Sequence, residues 1–101
     1  EAVTTPRVLK DAVSAWAQYT VRVSNRDAAA AQLKSMGIPT AIYYPKPLHQ
    51  QQAYNGYPVA NGGLPISEQL ASEVLSLPMH PYLKDPVQQR IVDGVRNVVS
   101  T

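Results

Sequence analysis

Seven consecutive residues hold most of the chemistry in this chain: Tyr43-Tyr44-Pro45-Lys46-Pro47-Leu48-His49. They present two phenols, an ammonium and an imidazole. Two prolines stiffen the backbone between them, so these groups lose little freedom when a ligand arrives. The set suits a polar, anionic molecule held by hydrogen bonds. A structural reading stands beside this one. In strand geometry Tyr43 and Tyr44 point to opposite faces, which puts one of them in the core. His49 can satisfy a backbone carbonyl, and Lys46 reads as a solvated surface lysine.

Other candidates carry less. His80, between Met79 and Pro81, reads as a turn or packing residue. The two histidines lie far apart in sequence without nearby carboxylates, a poor metal set. No Ser/His/Asp arrangement has motif context, and no Gly-rich loop precedes a helix at phosphate-binding spacing. Asn61-Gly62-Gly63 is a flexible loop. Trp16 falls on the polar face of its strand, where a helix or another domain would cover it.

Composition narrows the classes. A chain of 101 residues supports one modest core. The sequence opens on Glu1, so it is expected to be processed or cut from something longer. Nine basic residues and a net charge of +2 are scattered without a run, which argues against nucleic acid. There is no Cys, which excludes disulfides, thiolate chemistry and cysteine-ligated zinc. Nothing resembles a signal peptide or a membrane span, so a soluble cytoplasmic protein is expected. Nine Pro imply frequent turns; six Tyr and no Phe place a hydroxyl on most large rings, which suits a polar cleft.

The elements that must position these groups follow from periodicity. Residues 1–14 read as a linker or edge strand entering from a preceding domain. Residues 15–23 alternate, with Ala17, Tyr19, Val21 and Val23 on one face, and predict a half-buried strand. Ser24 with Asp27 fits a capping-box variant before a helix over 26–36, with Ala29, Leu33 and Met36 on its buried face. Gly37 sits at its left-handed end. Residues 38–44 predict a second strand starting at an edge, because Pro39 cannot donate. A short helical turn is expected within 48–57 and a loop over 58–65. A helix over 66–76 carries Leu70, Ala71, Val74, Leu75 and Leu77 toward the core. Leu77-Pro78-Met79 predicts a short third strand. Asp85 as cap, Pro86 at the first helical position and Gln88 start a last helix running to about Val99, with Val87, Ile91, Val95 and Val98 as its buried stripe. The sum is an α+β, two-layer small domain of about three strands covered by helices.

Ordered pieces of this sequence resemble the C-terminal region of the DegT/StrS-type sugar aminotransferases. They are Tyr19-Thr20-Val21-Arg22-Val23, Asn25-Arg26-Asp27, Gly37-Ile38-Pro39-Thr40, Tyr44-Pro45, Pro47-Leu48-His49, and Leu75-Ser76-Leu77-Pro78-Met79-His80-Pro81. Each piece is weak alone; their order and spacing are specific, and the likeness covers about residues 15–98. The resemblance implies the small domain of a fold-type I aminotransferase over residues 15–101. It implies a pyridoxal-phosphate enzyme moving an amino group from glutamate to a UDP- or dTDP-linked keto sugar, in amino-sugar biosynthesis for surface polysaccharide or a secondary metabolite. The pattern is nearest to enzymes making 3-amino or related sugars on UDP-linked uronic acids. It further implies a homodimer, a large domain packed against this one, and substrate contacts from Tyr44, His49 and Tyr43. The sequence departs from the whole-family pattern in lacking the Schiff-base lysine motif and the phosphate-binding segment. Lys10, Lys34, Lys46 and Lys84 do not stand in that context, so no catalytic residue is expected here and no cofactor bound by this piece alone. The competing reading is a free-standing α+β ligand-binding or regulatory module.

Overall fold

The computed structural model describes residues 2–100. Its elements are β1 (Tyr19–Arg22), α1 (Arg26–Ser35), a 3-10 turn at Leu48–Gln50, α2 (Pro65–Glu73), β2 (Val74–Leu77) and α3 (Asp85–Ser100). The expected α+β class is observed. β1 and β2 pair antiparallel, Tyr19 opposite Leu77 and Arg22 opposite Val74. A single bridge widens the ladder on each side, Thr4 opposite Arg22 and Ala41 opposite Ser76. The sheet is thus two strands with two one-residue margins, where the sequence pattern suggested about three strands.

Each boundary that moved has a local cause. The first strand begins at Tyr19, not at 15, because Trp16 takes a φ of +46° and its N–H donates to Ser14 Oγ. Ala17 is consequently exposed. The expected strand over 38–44 is reduced to Ala41. The N–H of Ile38 instead donates to Leu33 O, and that of Gly37 to Lys34 O. Those two bonds close α1 in a Schellman motif, and Pro39 has no N–H to offer a ladder. The third strand lies at 74–77 rather than 77–79. Helix α2 ends at Glu73 because Val74 turns extended (ψ +137°) and Leu75 is drawn under β1.

Two expected caps do not form. No side-chain cap bond starts α1; the Asp27 carboxylate accepts instead from Arg26 Nε at 2.6 Å. Helix α3 includes Asp85 itself, and Lys84 O accepts from the Gln88 N–H. Two stripe assignments also change. Met36 is 36% exposed and Val87 45% exposed, while Gly94 is buried on α3 beside Ile91, Val95 and Val98. A Cβ at position 94 would lie 2.5 Å from Ile38 Cδ1. A side chain there would hold α3 away from the α1 terminus, so the glycine permits the approach despite its helix penalty of about 1 kcal/mol.

The core is Leu33, Leu75 and Val21, closed by Val23, Ala29, Ile38, Ile91, Val95 and Val98. Polar groups tie its margins. Arg26, 6% exposed, donates from Nη1 to Ala71 O at 3.1 Å and to Val74 O at 3.0 Å. Arg22 grips Glu73 Oε2 through Nε and Nη2 at 2.9 and 2.7 Å. Hydrogen bonds from Gln69 and then Arg22 hold the Glu73 carboxyl below its ordinary range.

Gly37 closes α1 with a φ of +74°, a conformation costing an ordinary L-residue about 1–2 kcal/mol. Gly37→Ala should therefore lower the free energy of unfolding by about 1–2 kcal/mol, read as a lower midpoint in chemical unfolding. An unchanged midpoint would mean that another residue ends the helix.

Candidate functional site

The chain leaves the sheet margin at Ala41 and enters the two-proline loop within two residues. The loop, the 3-10 turn and the exposed segment after it form one wall of a cleft of about 1040 Å³. The other wall is α2 and the start of β2, through Ser67, Leu70, Ala71 and Val74. Sheet and helix are anchored in the core, so a rigid wall faces an exposed one.

All three expected site residues meet at this cleft: Tyr43, Tyr44 and His49 line it together with Lys46. The peptide bond joining the two tyrosines is cis. Their rings stand edge to face at 5.7 Å, so the opposite-face expectation does not hold. Neither is a core residue, and Tyr44 is 70% exposed. His49 is half-buried, and its Nε2 lies 2.9 Å from Glu68 Oε1 in the first turn of α2. It has no backbone-carbonyl bond among the described residues. A second aromatic pair, Tyr54 and Tyr57 at 6.2 Å, lines the same cleft. Four phenols, an ammonium and an imidazole line the cleft and can orient a polar molecule through many hydrogen bonds.

Sequence reasoning missed Glu68, Tyr54 and Tyr57. A Tyr-x-x-Tyr in an irregular segment signals nothing alone, and the approach of Glu68 to His49 depends on the packing of α2. His80 is the turn residue expected: its Nδ1 accepts from the Tyr82 N–H at 3.2 Å. Trp16 stacks on Tyr19 at 5.3 Å and stays partly exposed. Among the described residues no group of three His, Cys, Asp or Glu could hold a metal, and no helix is long and apolar enough to cross a membrane.

The small two-stranded α+β fold that carries this cleft is that of one segment of solved DegT-type aminotransferases. It matches a DegT DnrJ EryC1 StrS aminotransferase from Brucella abortus with a TM-score of 0.92 and 50% identity, over 99% of this chain and 27% of that one. It matches S. venezuelae DesV, solved in complex with a ketimine intermediate, with a TM-score of 0.92 and 36% identity over the whole of this chain and 27% of that one. The chain belongs to the DegT/DnrJ/EryC1/StrS aminotransferase family, whose sequence model matches residues 1–96. A UDP-2-acetamido-2-deoxy-3-oxo-D-glucuronate aminotransferase of Pseudomonas aeruginosa is 46% identical over 78% of this chain and 21% of its own length. A dTDP-3-amino-3,4,6-trideoxy-alpha-D-glucose transaminase of Streptomyces venezuelae is 40% identical over 90% and 24% respectively. The chain thus spans about a quarter of the length of these relatives.

Aminotransferases of this family depend on pyridoxal phosphate, and solved relatives include a form with bound PMP. The residues described here do not fit covalent attachment of that group. A Schiff-base lysine needs a desolvated or charge-tuned amine, and Lys10, Lys34, Lys46 and Lys84 are all exposed. No step of amino transfer is assigned to them.

Proposed function

We propose that residues 15–101 form the C-terminal small domain of a pyridoxal-phosphate-dependent aminotransferase, entered through residues 1–14 from a large domain. The enzyme moves an amino group from glutamate to a UDP- or dTDP-linked keto sugar, works as a homodimer and acts in the cytoplasm. This chain orients the sugar nucleotide, and the cofactor and its lysine lie outside it. One observation carries the reading: Tyr43, Tyr44 and His49 line one cleft in a chain that nucleotide-sugar transaminases match over 78% and 90% of its length.

The tyrosine hydroxyls and the imidazole position the ligand and take no part in proton transfer. Each neutral hydrogen bond contributes about 1 kcal/mol, and more where its loss strands a buried partner. In the complete polypeptide, Tyr44→Phe and His49→Ala should each lower kcat/KM for the keto sugar by about fivefold or more. The glutamate half-reaction should stay as it is, since it does not use the sugar contacts. Single-turnover kinetics separates the two halves. An unchanged sugar half-reaction in both variants would make these residues packing.

A further inference from the structure

We propose that Glu68 is a positioning residue that locks His49 to the far wall of the cleft and fixes which ring nitrogen carries the proton. The inference rests on the proposed binding of a nucleotide-linked sugar there. The carboxylate lies 2.9 Å from Nε2, with the His49 side chain 16% and the Glu68 side chain 47% exposed. Among the described residues this is the one side-chain hydrogen bond between the loop of residues 43–60 and α2. The backbone bonds of residues 47–57, such as Tyr54 N–H to Gln51 O and Tyr57 N–H to Tyr54 O, stay within the loop. Residues 50–60 are exposed throughout, and its helical turn buries none of its residues.

The chemistry follows from the donor inventory. An ionised carboxylate only accepts, so the nitrogen facing it must donate. Nε2–H is thereby set, and in the neutral ring Nδ1 is left as an acceptor suited to a sugar hydroxyl. The position of Glu68 in the first turn of α2 adds a favourable alignment with the helix dipole. The other titratable groups on the cleft are Lys46 and the phenols of Tyr43, Tyr44, Tyr54 and Tyr57. Among the described residues none of these hydrogen-bonds the His49 ring.

The test uses the complete polypeptide, with Glu68→Ala, Glu68→Gln, His49→Ala and the double alanine variant. Two readouts are needed: the nitrogen-15 imidazole signals of His49, and single-turnover rates with the UDP- and dTDP-linked keto sugars. The wild type should show the Nε2–H tautomer. Glu68→Ala should lose that preference and weaken the sugar half-reaction about threefold to fivefold, no more than His49→Ala does, through substrate affinity rather than the maximal rate. Glu68→Gln retains an acceptor and should recover both signals in large part. The double variant should be no worse than His49→Ala alone, as expected of groups acting through one another. An Nδ1–H tautomer in the wild type, or losses that add in the double variant, would overturn the proposal. If His49→Ala is impaired while Glu68→Ala keeps both tautomer and rate, the lock fails and the binding reading stands. If Glu68→Ala shifts the tautomer but no variant alters the sugar half-reaction, the lock stands and the binding reading fails.

Discussion

Arg26→Met should destabilise the domain by about 2–3 kcal/mol, although it replaces a charged group with an apolar one of similar length. The guanidinium is 6% exposed and bonds the carbonyls of Ala71 and Val74 from a single nitrogen. Those carbonyls mark the break where α2 ends and β2 begins, so the helix ladder no longer serves them. The strand ladder does not help either, because Arg22 directs its own N–H and C=O to Thr4. Methionine would fill the space and strand both acceptors, and each buried unsatisfied group costs about 1–3 kcal/mol. Relief of the buried charge offsets part of that loss. Arg26→Lys should recover some of it, since an ammonium still donates but reaches fewer acceptors at once. Chemical denaturation read by circular dichroism gives the midpoint. A midpoint equal to wild type in Arg26→Met would show that water satisfies the junction.

The second large effect is expected in the core. Leu33 is fully enclosed at 0% exposure, between the sheet and α3. Leu33→Ala should cost about 2–5 kcal/mol, combining lost burial with the cavity left behind. A domain of this size has little stability in reserve, so the variant should be largely unfolded at 37 °C unless another domain supports it. Met36→Ala is the matched control: it lies on the same helix, is 36% exposed, and should shift the midpoint far less. Comparable losses in the two variants would contradict the observed burial.

Much of this fold was legible from periodicity. The alternation at Tyr19–Val23, the spacing of Ala29 and Leu33, and the run Ile91, Val95, Val98 each name a buried face that is observed. Gly37 at a left-handed φ was also legible, because few other residues take that conformation. What failed was local hydrogen-bond competition. Ser24 and Asp27 read as a capping pair, yet Asp27 lies next to a buried arginine whose position depends on Ala71 and Val74, far away in sequence. The switch from α2 to β2 was misplaced because Glu-Val-Leu-Ser suits helix and strand alike; pairing with β1 decides it. The site was half legible. The loop from Tyr43 to His49 stands out by residue type, while Glu68 stands out only once α2 packs across the cleft. The ladder stops at Ala41, so strand alternation, which had divided the two tyrosines between core and surface, does not reach them, and both line the cleft.

The bridge at Ala41 has a consequence for how such a protein can diversify. Both backbone bonds of Ala41 go to Ser76, so the start of the cleft wall inherits its register from the sheet. From Gln50 to Gly63 every residue is exposed, and several of them form the outer cleft wall. Substitutions at exposed sites of this kind shift stability by about 0.5 kcal/mol or less, and exposed loops accept added length at small entropic cost. The two functions of the sequence are therefore physically partitioned. Residues that hold the fold together are fixed by packing, whereas the exposed residues of the outer cleft wall can be exchanged or lengthened at little cost to stability. A lineage could rewrite the outer wall of the cleft in this one stretch, leaving the folding problem already solved.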